Sequence, residues 1–178
     1  NLDDKVVLLT GSGGHLVSEM ARACGKAGMK VVCTDFKLET AQKTVNEIID
    51  NGGDAIAIEV DVTKKADHEK ALKLSIDSYG KLDYLLNGAG TNAPTPFFDI
   101  SVDEWNNILA VQLTGTMLSC QVFGKYMIDQ KYGSIINISS ASSGPPLSKA
   151  FSYSVAKSGV KNLTQNLARE WGTMGVRV

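Results

Sequence analysis

Tyr153 stands four residues ahead of Lys157 in the run AFSYSVAKSGV, residues 150–160. On a helix that spacing puts both side chains on one face, one turn apart, so an ammonium can reach a phenol. A phenol titrates at about 10 in water, and an opposite charge within about 4 to 6 Å favours its ionised form. Such a pair can pass a proton to or from an alcohol oxygen, the proton movement that must accompany hydride transfer at the same carbon. The plainer reading is an amphipathic-helix tyrosine beside a solvated lysine. Ser140 follows the apolar run SIINIS, 13 residues before Tyr153.

A second group of residues could hold a nucleotide. Gly11, Ser12, Gly13, Gly14, His15 and Leu16 follow the apolar run KVVLLT. Glycines between a strand and a helix leave N–H groups and the positive end of the helix dipole facing a phosphate, although simple helix–strand packing also uses them. Asp35 lies 24 residues after Gly11, at the end of a second apolar run. A carboxylate there accepts from a ribose diol and repels a 2′-phosphate, which favours NAD and disfavours NADP. Asp61 and Val62 end a third run, where Asp61 either accepts from an adenine amino group or caps the next helix. Asn87, Gly88, Ala89 and Gly90 end a fourth, with backbone freedom to pass close to a flat ligand.

The elements that must position these residues follow from periodicity. Apolar runs at 5–10, 31–34, 55–60, 82–86 and 134–139 read as strands. Helical spacing connects them through Leu16 to Ala27, Leu38 to Ile49, Leu72 to Tyr79, Trp105 to Val122 and Ser152 to about Gly172. Ser101 and Glu104 have the spacing of a capping box, so one long amphipathic helix is expected to start there. Near-continuous apolar strands alternating with helices imply a doubly wound α/β fold, a parallel sheet covered on both faces. Ligands of such sheets lie outside the carboxyl ends of the strands, where every residue singled out above falls.

Taken together, TGSGG, Asp35, Asp61, NGAG, Ser140 and Tyr153-Ser-Val-Ala-Lys157 resemble the classical short-chain dehydrogenase/reductase family, over the whole chain. The resemblance implies a Rossmann-type sheet and an NAD-dependent oxidoreductase acting on a secondary alcohol or ketone. Tyr153 would be the general acid/base, Lys157 would also bind the nicotinamide ribose, and Ser140 would donate to the substrate oxygen. It further implies a homodimer or homotetramer formed through the helix starting near Ser101 and the one bearing Tyr153. GGHLVSEMA, QVFGKYM and SSASSGPPLSKAFSYSVAKSGV are similar to members acting on sugar acids, of the mannonate or gluconate type. The extended epimerase branch is opposed by NGAG and by the short Ser140–Tyr153 interval, and a methyltransferase would have no use for Ser140, Tyr153 and Lys157 together.

Three departures from the family pattern stand out. His15 and Val17 occupy places where the family has glycines, and His15 can either crowd a pyrophosphate or donate to it. Gln112 stands where the family has a catalytic asparagine associated with a proton-relaying water. It is either a displaced relay group or a polar residue facing solvent. The chain starts at Asn1 and stops at GVRV as an apolar strand begins, so the expected sheet is truncated after the Tyr–Lys helix, without the family's C-terminal strands and substrate lid. These departures motivate the alternative of a non-catalytic nucleotide-binding protein or truncated inactive homologue.

The gross composition fits this reading. With 178 residues and 43% hydrophobic content, the sequence suits one domain, residues 1–178. A net charge of -1 offers no basic surface for nucleic acid or an anionic membrane. No apolar run reaches a membrane span, no signal peptide is visible, and a cytoplasmic location is expected. Cys24, Cys33 and Cys120 lie in apolar periodic segments and read as reduced thiols, and His15 and His68 lack a partner at zinc-type spacing, so no metal is expected.

Overall fold

The computed structural model describes residues 2–145 and 147–178, so Asn1 and Pro146, the latter within the SSASSGPPLSKAF run, lie outside the described residues. In chain order the elements are β1 (Val6–Thr10), α1 (His15–Lys26), β2 (Lys30–Asp35), α2 (Leu38–Asp50), β3 (Asp54–Glu59) and α3 (Lys65–Tyr79). They continue with β4 (Tyr84–Asn87), α4 (Val102–Leu109), a π-helical turn (Ala110–Thr114), α5 (Gly115–Asp129), β5 (Gly133–Asn137), α6 (Phe151–Trp171) and β6 (Val176–Arg177).

All strand pairs are parallel, in the order β3-β2-β1-β4-β5-β6. The chain winds outward from β1 to β3 and then returns to β4, so the order reverses between β1 and β4. A crevice opens at that reversal, beyond the carboxyl ends of the two strands.

β1 explains why its sequence runs apolar without alternating. Val6 and Leu8 enter one core with Leu85, Phe123 and Met127, while Val7 and Leu9 enter the other with Val17, Val31 and Val45. Successive side chains point to opposite faces of a strand, and here helices cover both. α3 ends where Gly80 takes φ 75° and its N–H returns to the Ile76 carbonyl at 2.7 Å, the left-handed stop that glycine adopts without a Cβ clash.

The long helix expected from Ser101 onward is broken by the π-helical turn. Its start is as expected, with the Ser101 side chain accepting from Glu104 N at 3.0 Å. The Glu104 carboxylate does not reciprocate; it accepts from Thr95 Oγ1 at 2.8 Å and pins the preceding loop instead. The wider turn shifts the register between α4 and α5, and such turns cluster at functional sites. No helix among the described residues is long and apolar enough to cross a membrane.

Candidate active site

The glycine turn is locked onto the end of β4. Gly11 has φ 76°, and a Cβ built there would lie 2.8 Å from Ala89 Cα, so backbone meets backbone. Thr10 Oγ1 accepts from Gly88 N at 3.1 Å and from Ala89 N at 3.3 Å, which fixes the same contact from below. Ser12 was expected at the cofactor, but it is wholly buried. Its N–H and hydroxyl both donate to Thr34 O, and its carbonyl accepts from Thr44 Oγ1. With its donors so engaged, Ser12 ties the turn to β2 and α2 rather than presenting them to a ligand.

Gly14 caps α1 with no side-chain hydrogen bond, which leaves the first-turn N–H groups directed at the crevice. Asp35 closes the turn from the side. Its Oδ2 accepts from Gly13 N at 2.9 Å, while Oδ1 accepts from Thr40 Oγ1 at 3.0 Å and Lys37 N at 3.2 Å. A carboxylate has about four acceptor positions, so capacity for one further donor remains. A Cβ on Gly13 would lie 2.4 Å from Thr40 Oγ1, so the turn needs glycine there for close packing.

Beyond β3, Asp61 Oδ1 accepts from Thr63 N at 3.0 Å and Thr63 Oγ1 at 2.6 Å, and Oδ2 lies 3.2 Å from Lys64 Nζ. Burial pushes this carboxyl up, but the Thr63 hydrogen bonds and the Lys64 ammonium outweigh it and hold it below the usual 3.8. Asp61 does not cap α3, whose N-cap is Lys64, because its oxygens are engaged within its own turn.

These pieces enclose a cleft of about 850 Å³. It brings together Gly11, Gly13, Gly14, His15, Leu16, Asp35, Asp61, Val62, Gly88, Ala89 and Gly90 from the sequence-derived set. Phe36, Thr40, Thr63 and Thr91 also line it and were not singled out, although three of them directly follow residues that were. Asn107 and Val111, one turn apart on the broken helix, complete the wall and carried no local signal.

Asn87 faces inward. Its Oδ1 accepts from Ser119 Oγ at 2.6 Å, and its Nδ2 donates to Asn137 Oδ1 at 2.8 Å. Asn137 Nδ2 in turn donates to Thr164 Oγ1 at 2.9 Å, so a polar chain, buried at Asn87 and half-buried beyond it, runs from β4 through β5 to α6.

That chain helps to seat the second half of the site, at the tip of β5. Lys157 is buried and donates from Nζ to Ile138 O at 2.7 Å, while Ser139 Oγ donates to Lys157 O at 3.0 Å. Burial pushes the Lys157 ammonium down to about 8. Its Nζ lies 5.7 Å from the centre of the half-exposed Tyr153 ring, within cation–π range. Ser140 Oγ accepts from Ser142 N at 3.2 Å and from Ser142 Oγ at 3.1 Å. Both acceptor positions of the hydroxyl are then filled and its proton remains available to donate.

Gln112 does not face solvent, one of the two sequence readings. It sits within the π-helical turn at 1% exposure, and its Nε2 donates to Thr91 O at 2.7 Å. Its Oε1 is buried without a partner, 3.1 Å from where a Cβ on Gly90 would stand. The wide turn carries this side chain inward against the NGAG loop.

The residues present suit a dinucleotide. The close-packed turn, the uncapped start of α1 and the acidic group at the end of β2 provide a cradle for phosphates beside an acceptor for a ribose. Comparison with known proteins identifies the family. Residues 5–178 match the family model described as short chain dehydrogenase. The uncharacterized oxidoreductase UxuB of Bacillus subtilis (strain 168) is 34% identical, the match covering 100% of this chain and 69% of the relative. The D-threitol dehydrogenase of Mycolicibacterium smegmatis is 32% identical over 99% of this chain and 68% of the relative. A crystal structure of a putative short-chain alcohol dehydrogenase from Sinorhizobium meliloti 1021 superposes with a TM-score of 0.95 at 30% identity, covering 100% of this chain and 71% of that one.

Proposed function

The chain belongs to the short-chain dehydrogenase family and is an oxidoreductase of that type, and on that premise we propose that it exchanges a hydride between NAD and a secondary alcohol or ketone, with Tyr153 as general acid/base. The observation that carries this reading is the grouping at the β5 tip, where Lys157 Nζ lies 5.7 Å from the Tyr153 ring centre and the Ser140 hydroxyl keeps its proton available. When bound, the nicotinamide would supply or accept the hydride.

Ser140 holds the substrate oxygen by donating to it. Tyr153 Oη takes the proton from an alcohol, or returns it to a carbonyl oxygen, with the buried Lys157 ammonium one helical turn away. Asp35 favours NAD, since a carboxylate fixed by its neighbours at the cleft wall accepts from a ribose diol and repels a 2′-phosphate. Gln112 ties down the carbonyl of Thr91, a residue of the cleft wall.

A sugar acid or polyol is the proposed substrate class, supported by the name of the M. smegmatis relative, a dehydrogenase of a polyol. Self-association through α4 and α6 is part of the proposal, supported by Phe98 at 98% exposure beside Phe97, whose ring centre is 5.2 Å from that of Phe151. Light scattering reads it directly.

The test is titration of the protein with NADH and NADPH followed by NADH oxidation on a panel of keto sugars and keto acids. Tighter NADH binding and turnover on a panel member are expected. Preference for NADPH would overturn the Asp35 reading, and NADH binding without turnover would favour a non-catalytic binding protein.

A further inference from the structure

The cleft wall formed by Asp61, Val62 and Thr63 is held from behind by two consecutive residues in the first turns of α3. Asp67 Oδ2 accepts from Asp61 N at 2.9 Å. His68 Nε2 lies 2.9 Å from Val62 O. A carbonyl only accepts, so Nε2 carries the ring proton in this contact.

Val62 is closed in from the opposite side by α5. A Cβ on Gly115 would lie 3.0 Å from Val62 Cγ2 and 3.2 Å from Val62 O, so the helix backbone approaches as closely as a glycine permits. His68 itself is wholly buried and never reaches the cleft, and its ring stands at 90° to the Phe123 ring with centres 5.9 Å apart.

We propose that His68 is a positioning residue for the adenosine end of the cofactor site, setting the depth of Val62 in the cleft wall through the Nε2–H bond to its carbonyl. The inference rests on the cleft being the NAD site. A histidine suits the task because one side chain fills apolar space against Phe123 while carrying a donor to the loop backbone. Its other nitrogen, Nδ1, is buried without a partner. Protonation would place a second N–H there with nothing to accept it. Burial accordingly holds His68 below its ordinary 6.5, against the opposing pull of the Val62 carbonyl and of the Asp67 and Asp61 carboxylates. From α5 the facing group is the uncharged Phe123 ring.

Two variants at one position test this, with NADH and ADP-ribose as probes. His68→Phe keeps a ring against Phe123 and removes the donor, whereas His68→Gln keeps a donor at nearly the Nε2 position. His68→Phe is expected to weaken both probes about tenfold, with kcat at saturating NADH changed less than about twofold, while His68→Gln restores most of the affinity. As pH drops from about 7.5 to 5, wild-type affinity is expected to fall relative to that of His68→Gln, the two proteins sharing every other titratable group, His15 of the cleft wall included. Should His68→Phe fail to fold, the pH comparison between wild type and His68→Gln still decides.

Unchanged affinity in His68→Phe, equal losses in the two variants, or matching pH profiles for wild type and His68→Gln would overturn the role of His68. A wild-type protein that binds neither probe would instead overturn the cofactor reading beneath it, and this inference with it.

Discussion

The two halves of the site are built by opposite means. At the tips of β1, β2 and β3 the cleft wall is made of backbone and of side chains whose polar positions are mostly engaged: Asp35 holds the glycine turn with one acceptor position left, and Asp61 holds Thr63. Around the ends of β4 and β5 polar capacity is left over, in the Ser140 proton, in the unpartnered Gln112 Oε1 against the NGAG loop, and in a Lys157 ammonium made easier to discharge by burial. Binding a rigid nucleotide rewards a shape fixed in advance, whereas proton transfer needs groups whose hydrogen bonds are not yet complete.

Substitutions should separate the halves. The largest effect is expected from Tyr153→Phe, which removes the proposed proton carrier and leaves the cleft wall intact. Steady-state turnover should fall about a thousandfold, within the range for loss of a general acid/base, with NADH affinity unchanged in a fluorescence titration. Comparable losses in affinity and turnover would mean that the two halves are not separable.

Next is Gly11→Ala, which acts in the other half. The positive φ and the 2.8 Å approach to Ala89 Cα leave no room for a Cβ without moving backbone. A loss of about 2 to 4 kcal/mol in urea unfolding is expected, together with weaker NADH binding. An unchanged midpoint with normal NADH affinity would show the turn to be more accommodating than this packing implies.

The smallest effect concerns the charge of Lys157. Burial places it at about 8 in the fold against 10.5 for a lysine in water, so above pH 8 the unfolded chain binds more protons than the folded one. Stability from this group therefore rises with pH across that window and falls away as pH drops through about 8. Between pH 8 and 9 the wild type should gain up to about 1 kcal/mol relative to Lys157→Met. The interval avoids the range above 9 where Cys33 and Cys120, pushed up to about 12 by burial, act in the opposite direction. Parallel pH profiles for the two proteins would mean that the lysine is not desolvated.

Much of this arrangement is legible in the chain. The Tyr153–Lys157 spacing puts both residues on α6, and the apolar runs give five strands within one or two residues of their observed bounds. The sixth, Val176–Arg177, begins where the sequence suggested a strand starting. What escaped notice depends on partners distant in sequence. Ser12 looks like part of a phosphate turn, yet Thr34 and Thr44 engage its polar groups. The stripe from Trp105 to Val122 reads as one helix because an inserted π-helical turn changes its phase without interrupting its apolar character.

The sequence by itself determined the α/β alternation, the glycine turn, the acidic end of β2 and the tyrosine–lysine pair, because each is a local pattern of residue types at fixed spacing. Only the tertiary structure decided that Gln112 is buried, that Ser140 keeps its proton available to donate, and that His68 stands behind the cleft wall. Those outcomes depend on which donor meets which acceptor across tens of residues, and no local period encodes such a meeting.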